Sequence, residues 1–166
     1  MNHEDVGRCW DDNAEAWTHL ARAGYDVYRD FLNTPAFLAL LPEVKERHGL
    51  DIGCGEGHNT RLLAQRGARV VAIDISETFI RYARAQEAGA PLGIDYRVVS
   101  AVALPFEDAS FDFAIACMSL MDIPEIERVL AEKRFGCCGP AGSSSSRSNI
   151  RASRRRIGAT CGMPMA

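Results

Sequence analysis

Hydrophobic positions along this chain change their period at about residue 49. Before it, between Trp10 and Leu41, they recur at helical spacing: Ala14, Trp17, Leu20 and Ala21 share one face, and Asp11 and Asp12 are acceptable starters for that helix. Gly24 interrupts the pattern, Tyr25 to Phe31 reads as a second short helix, and Pro35 opens a third over Ala36 to Leu41. From Gly49 onward, apolar runs of strand length alternate with helical stretches. Leu50-Asp51-Ile52 predicts a short buried strand, and His58 to Arg66 a helix with Leu62 and Leu63 on one face and Gly67 as its stop. Arg69 to Asp74 is a β-branched apolar run, the signature of a strand covered on both sides. Ser76 is a good N-cap for a helix over Glu77 to Glu87, which Gly89 and Pro91 end. Ile94 to Val99 and Phe111 to Met118 predict a third and a fourth strand, and Pro124 opens a last helix with Ile126, Val129 and Leu130 on one side. Strands alternating with helices predict an α/β fold: a mostly parallel sheet, right-handed crossovers, helices on both faces and a helical cap at the N-terminus.

The chemistry concentrates where the first strand meets its helix. In Leu50-Asp51-Ile52-Gly53-Cys54-Gly55-Glu56-Gly57 three glycines let the backbone turn tightly and let a ligand approach the main chain. Position 58 is His, so the spacing departs from G-x-G-x-x-G and argues against a nicotinamide dinucleotide with its pyrophosphate at the helix N-terminus. Asp74 ends the second strand, at the distance from the first where an acid accepts hydrogen bonds from ribose hydroxyls in nucleotide-binding sheets. A glycine-rich turn alone is weak evidence, and a strand-end Asp is also a common helix cap; together they point to a nucleoside.

These segments, followed by Ala103-Leu104-Pro105-Phe106 and Ser110-Phe111-Asp112, resemble in order and spacing the successive motifs of class I S-adenosylmethionine-dependent methyltransferases of the type 11 kind. The resemblance covers roughly residues 8–131 and includes Trp10-Asp11 and Ala14-x-x-Trp17, similar to the N-terminal helix of members that act on small molecules. It implies a Rossmann-like fold, S-adenosyl-L-methionine as cofactor and methyl transfer to a small-molecule acceptor. It places Gly53, Cys54, Gly55 and Gly57 along the methionine part of the cofactor, with Asp51 holding the ammonium directly or through water. Asp74 would take both ribose hydroxyls, Ile75 would pack on the adenine, and Ser100 and Ala101 would sit at its edge, Ser100 standing where many members carry an acid. Cys117 would face the sulfonium side, and Tyr28 and Arg29 would close over the carboxylate end. Methyl transfer from a sulfonium needs placement and exclusion of water more than acid–base work, so no catalytic dyad is expected. His3, His19, His48 and His58 show no metal-like pairing, and the six cysteines include no C-x-x-C pair, so no metal is expected and the thiols read as unpaired.

Composition divides the chain at about residue 132. The overall charge of −3 is the sum of −9 over residues 1–131 and +6 over residues 132–166. The basic segment carries Ser143-Ser144-Ser145-Ser146 and Arg154-Arg155-Arg156 and keeps no period, which by itself reads as disorder or a nucleic-acid-binding arm. The resemblance instead calls for a Leu-Arg-Pro-Gly-Gly turn and a fifth strand there. Read in a shifted frame with permitted codons, Phe135 onward becomes R-V-L-R-P-G-G-F-F-Q-F-S-I, so the segment is read as an out-of-frame tail, and no nucleic-acid partner is expected. The division is therefore 1–45 for the cap, 46–132 for a partial cofactor-binding domain lacking its C-terminal strands, and 133–166 for the tail. On that reading the activity is impaired, and the rival is a non-catalytic cofactor-binding fragment, ahead of a dehydrogenase. No apolar run of about 18 residues is present and the first residues lack a signal-peptide pattern, so a cytoplasmic protein with no membrane partner is expected. Hydrogen exchange is expected to show little protection over residues 133–166, and their deletion to leave the melting temperature unchanged; a fall of several degrees would show that they pack.

Overall fold

The computed structural model describes residues 2–125 and residue 127; most of the last predicted helix and the tail lie outside them. Four parallel strands, β1 (His48–Ile52), β2 (Arg69–Asp74), β3 (Asp95–Val98) and β4 (Phe113–Ile115), form one sheet in the order β3-β2-β1-β4. Around it lie α1 (His3–Arg22), a π-helical turn (Arg29–Asn33) that runs into α2 (Thr34–Leu40), α3 (His58–Gln65) and α4 (Glu77–Gly89), with a 3₁₀ turn at Leu120–Asp122. This is the expected α/β Rossmann-like architecture with a helical cap.

The sheet's two faces are covered differently. On one, Val70 and Ala72 of β2 meet Leu63 of α3 and Ile80 and Ala83 of α4, and Phe37 of α2 joins the first group. On the other, Leu50, Ile52, Val71 and Ile73 meet Leu104 and Phe111, with Val99, Ala101 and Phe106 beside them. The further helix predicted after β4 lies largely outside the described residues; among them, α3 and α4 thus share a face. Handedness is the reason. The right-handed crossovers β1-α3-β2 and β2-α4-β3 step in the same direction across the sheet, so both helices fall on the same side. The connection from β3 to β4 steps back past β1, and the segment between them covers the opposite face as an irregular loop. β4 is shorter than the apolar run because Phe111 turns into that core and Met118 adopts φ 59°, a left-handed conformation that cannot continue a strand.

α1 begins at His3, well before Trp10. Asn2 accepts from Asp5 N–H (2.8 Å) and Asp5 Oδ2 accepts from Asn2 N–H (3.2 Å), a reciprocal cap whose members are spaced for it but lie outside the apolar pattern. Its buried face is Gly7, Ala14, Thr18 and Ala21, whereas Trp17 and Leu20 are 47% and 54% exposed. Asp11 does not start this helix but caps another, as described below. The cap therefore packs through small residues, which let the helix axis approach the sheet domain closely.

Gly49 shows how tightly β1 and β4 are fitted. A Cβ on it would lie 2.3 Å from Cζ of Phe113, its neighbour in the register. Gly49→Ala is expected to destabilise the fold by about 1–3 kcal/mol through overpacking, read as a lower denaturant midpoint at unchanged slope.

Candidate functional site

Strand order decides where a site can form. β1 has β2 on one side and β4 on the other; the chain steps from β1 through β2 to β3 and then back past β1 to β4, so the strand order reverses at β1 and a crevice opens at the carboxyl ends there. A cavity of about 480 Å³ occupies it, within the range of small-molecule sites. Its wall combines the loops after β1, β2, β3 and β4 with α1 and the segment leading into α2.

The loop after β1 is shaped by main-chain bonds. Gly53 and Cys54 N–H both donate to the Ile73 carbonyl (2.8 and 3.0 Å), folding the chain back over the end of β2. Gly53 and Gly57 have φ of 72° and 90°; a Cβ on Gly53 would lie 2.4 Å from Cβ of Ser119, and one on Gly57 2.5 Å from the Tyr96 hydroxyl oxygen. Ser119, in the loop after β4, also donates its hydroxyl to the Ile52 carbonyl (2.6 Å). At Gly55, φ is 55° and the space a Cβ would fill is empty, so here the main chain lies open to the cavity.

Asp74 binds two loops together. Its Oδ2 accepts from Gly55 N–H (2.8 Å) and its Oδ1 from Ser76 N–H (3.0 Å). Burial raises its pKa above the ordinary carboxylate value, against these main-chain bonds, which lower it. The residue faces the cavity, and its carboxylate has acceptor capacity beyond these two bonds.

Of the residues singled out from sequence, Gly53, Cys54, Gly55, Asp74, Ile75, Ser100, Ala101 and Cys117 all line this one cavity, and so do Tyr28 and Arg29. Asp51 and Gly57 do not. Asp51 is 2% exposed beneath the loop, where its Oδ2 accepts from the Thr60 hydroxyl (2.6 Å), and burial pushes its pKa up to about 7. Gly57 stands against Tyr96 and shapes the turn. Burial also raises the pKa of both the Cys54 and Cys117 thiols, so neither is an activated nucleophile. Among the described residues no cluster of His, Cys, Asp or Glu could hold a metal ion, and no helix is long and apolar enough to cross a membrane.

The structure also brings to the cavity residues that the sequence analysis did not assign to the cofactor. Trp10, Trp17 and Phe79 form an aromatic part of the wall, with Trp10 edge-on to Trp17 (centroids 6.2 Å) and 6.1 Å from Phe79. His58 and Asn59, at the start of α3, line it too; burial, then the nearby Arg29, lowers the pKa of His58 and favours its neutral form. Arg29 donates to Asp30 (2.8 Å) and to the Ala21 carbonyl (2.9 Å) and lies 3.5 Å from Glu56, which Arg22 also engages at 3.0 Å. The helical pattern hides such residues because it marks which face is buried and not what lies opposite.

Asp51 gives the site a pH signature. Its folded pKa lies above its unfolded value, so the folded state holds more protons between roughly pH 4 and 7, and stability falls as pH rises through that window. Raised by burial as well, Asp74 contributes with the same sign. Asp51→Asn is expected to flatten part of the decline, read as melting temperature against pH; an unaltered slope would show that Asp51 does not titrate there.

Residues 50–134, just over half of the chain, match the family described as "Methyltransferase domain". The chain is 33% identical over 145 residues to the O-methyltransferase cnsE of Penicillium expansum, a match covering 77% of this chain and 52% of that protein. It is 39% identical over 74 residues to the ubiquinone biosynthesis O-methyltransferase of Xanthomonas axonopodis pv. citri, covering 44% and 30%. A crystal structure of an S-adenosylmethionine dependent methyltransferase from Mesorhizobium loti superimposes with a TM-score of 0.52 at 35% identity, covering 57% of this chain and 44% of that one. The chain spans about half the length, or less, of the curated relatives it matches. With the glycine loop, the acid ending β2 and the cavity between them in one parallel sheet, this chain belongs to the methyltransferase domain family, of the class I S-adenosylmethionine-dependent kind.

Proposed function

We propose that the cavity binds S-adenosylmethionine and that the chain transfers its methyl group to an oxygen of a small molecule. The observation that carries this reading is Asp74, a buried acid that tethers Gly55 and Ser76 by their amides and still offers lone pairs to the cavity. Two adjacent hydroxyls of a ribose fit that acceptor pair. The open backbone at Gly55 suits a ligand that packs against the main chain, and Ile75 and Phe79 supply apolar surface for a flat ring. The wall also carries Asp26, Glu56, Asp74 and Asp122 against the single guanidinium of Arg29, a balance that favours a cationic ligand over an anionic one.

When bound, the cofactor supplies a methyl group on a positively charged sulfur, already activated for displacement. The protein's share is then positioning and the exclusion of water, for which geometry is worth up to about 7–11 kcal/mol of barrier. Trp10 and Trp17 of α1 wall one side, and Ser119 holds the loop after β4 against that after β1. An acceptor hydroxyl must lose a proton, and the neutral imidazole of His58 on the cavity wall has the capacity to take it. The oxygen acceptor follows the two relatives named as O-methyltransferases.

Asp74→Ala removes an acceptor of charge-assisted hydrogen bonds, each worth about 1.5–3 kcal/mol, so affinity for S-adenosylhomocysteine is expected to fall on the order of 10- to 100-fold in calorimetric titration. NAD, titrated in parallel, is expected not to bind. An unchanged affinity for S-adenosylhomocysteine would remove Asp74 from the ribose site.

A further inference from the structure

Two of the polar contacts that α1 makes with the sheet domain reach residues at or next to the cavity wall. Near the middle of the helix, Asp11 Oδ1 accepts from the Ser76 hydroxyl (2.7 Å) and from Thr78 N–H (2.8 Å). Ser76 follows Asp74 and Ile75, its own amide donates to Asp74 Oδ1 (3.0 Å), and its hydroxyl accepts from Phe79 N–H (3.1 Å). One turn earlier, Gly7 lies against Ile75; a Cβ there would come within 3.0 Å of two of its side-chain carbons. At the helix's far end, Arg22 Nε donates to Glu56 Oε2 (3.0 Å), and Nη2 donates to the Tyr82 carbonyl (3.3 Å) and to Gln86 Oε1 (3.1 Å). Glu56 stands between Gly55 and Gly57 and is itself on the wall. Eleven residues separate the two latches, about 16 Å along a helix.

Taking the cavity as an S-adenosylmethionine site, we infer that Asp11 and Arg22 are positioning residues for the two ends of the ligand. Asp11 sets the nucleoside end and Arg22 the amino-acid end. Asp11 takes one of the unpaired amides in the first turn of α4, so that turn is completed by a residue from another helix. The contacts run unbroken from Asp11 through Ser76 to Asp74 and on to Gly55, so the place of the ribose acceptor depends on where α1 sits. The Thr78 amide and the Ser76 hydroxyl hold the Asp11 carboxyl below its ordinary pKa, as expected for a charged cap in place. Arg22 acts through Glu56 on the glycine loop. Its side chain is more exposed than that of Glu56, and Arg29 also lies near Glu56, so this latch is the weaker.

Two probes separate the ends: S-adenosylhomocysteine, which has both, and methylthioadenosine, which lacks the amino-acid group. Both are titrated by calorimetry into the 166-residue protein and its variants, well below each variant's melting transition. Asp11→Ala is expected to weaken both probes by a similar factor, about tenfold, the equivalent of one hydrogen bond to a charged group. Arg22→Gln is expected to weaken S-adenosylhomocysteine by about threefold and to leave methylthioadenosine unchanged. Asp11→Asn, which keeps an acceptor oxygen, makes the same comparison with a smaller factor if the alanine variant does not fold. A purely structural latch would lower the melting temperature and leave both affinities alone, and that result overturns the inference. So does an equal loss of both probes in Arg22→Gln. Failure of the unaltered protein to bind S-adenosylhomocysteine would instead overturn the cofactor reading on which this one stands.

Discussion

A buried carboxylate at the end of β2 organises this molecule. Asp74 lies out of bulk water, where an ionised group is costly unless hydrogen bonds replace its hydration. Two main-chain amides do so, Gly55 from the loop after β1 and Ser76 from the cap of α4. A single side chain thus fixes the relative position of two loops that have no ladder bonds between them. The glycines follow from this arrangement: the loop can bring its amides to Asp74 and to the Ile73 carbonyl only by passing through left-handed conformations at Gly53, Gly55 and Gly57.

Topology turns that local device into a site. The strand order reverses at β1, with β2 and β3 to one side and β4 to the other, so a crevice opens beyond its carboxyl end. The N-terminal helix fills the opening from outside, packed through Gly7, Ala14 and Ala21, and brings Trp10 and Trp17 to the wall. The chemistry suits such a place. On the proposed reading, a reaction whose electrophile arrives already activated asks the protein for a shaped, dry and slightly acidic cavity, and the loops and the cap are the parts that would form it. The fold alone does not name the reaction, since one scaffold carries many activities, and the acceptor is decided by the walls around it.

Much of the sheet was legible from residue order because buried strands and their helices leave strong local signals. The apolar run from Val70 to Ile73, the Ser76 cap and the stop at Gly67 all lie where the pattern puts them. The glycine loop and Asp74 were legible for a different reason: glycines at a strand-to-helix turn and an acid at the next strand's end mark themselves by residue type and spacing, and the structure brings them to one cavity. Asp51 shows the limit of local pattern: only the fold places it beneath the loop, bonded to Thr60. The face of α1 shows another. Periodicity groups Trp17 and Leu20 with Ala14 and Ala21 on one face, while the buried residues are Gly7, Ala14, Thr18 and Ala21, and Trp17 and Leu20 stay about half exposed.

By itself, then, the amino-acid order determined the strand and helix sequence, the parallel class of the sheet, and the glycines that bend the backbone at the cavity. These depend on interactions within a few neighbours: side-chain period, capping, and the freedom of glycine at positive φ. Tertiary structure alone decided that α3 and α4 share a face, that the irregular loop ending at Phe111 covers the other, and that Asp11 completes the first turn of α4. Those outcomes join residues tens of positions apart. They depend on the direction in which each crossover steps and on how closely a helix of small residues can approach, and no local period in the chain records either.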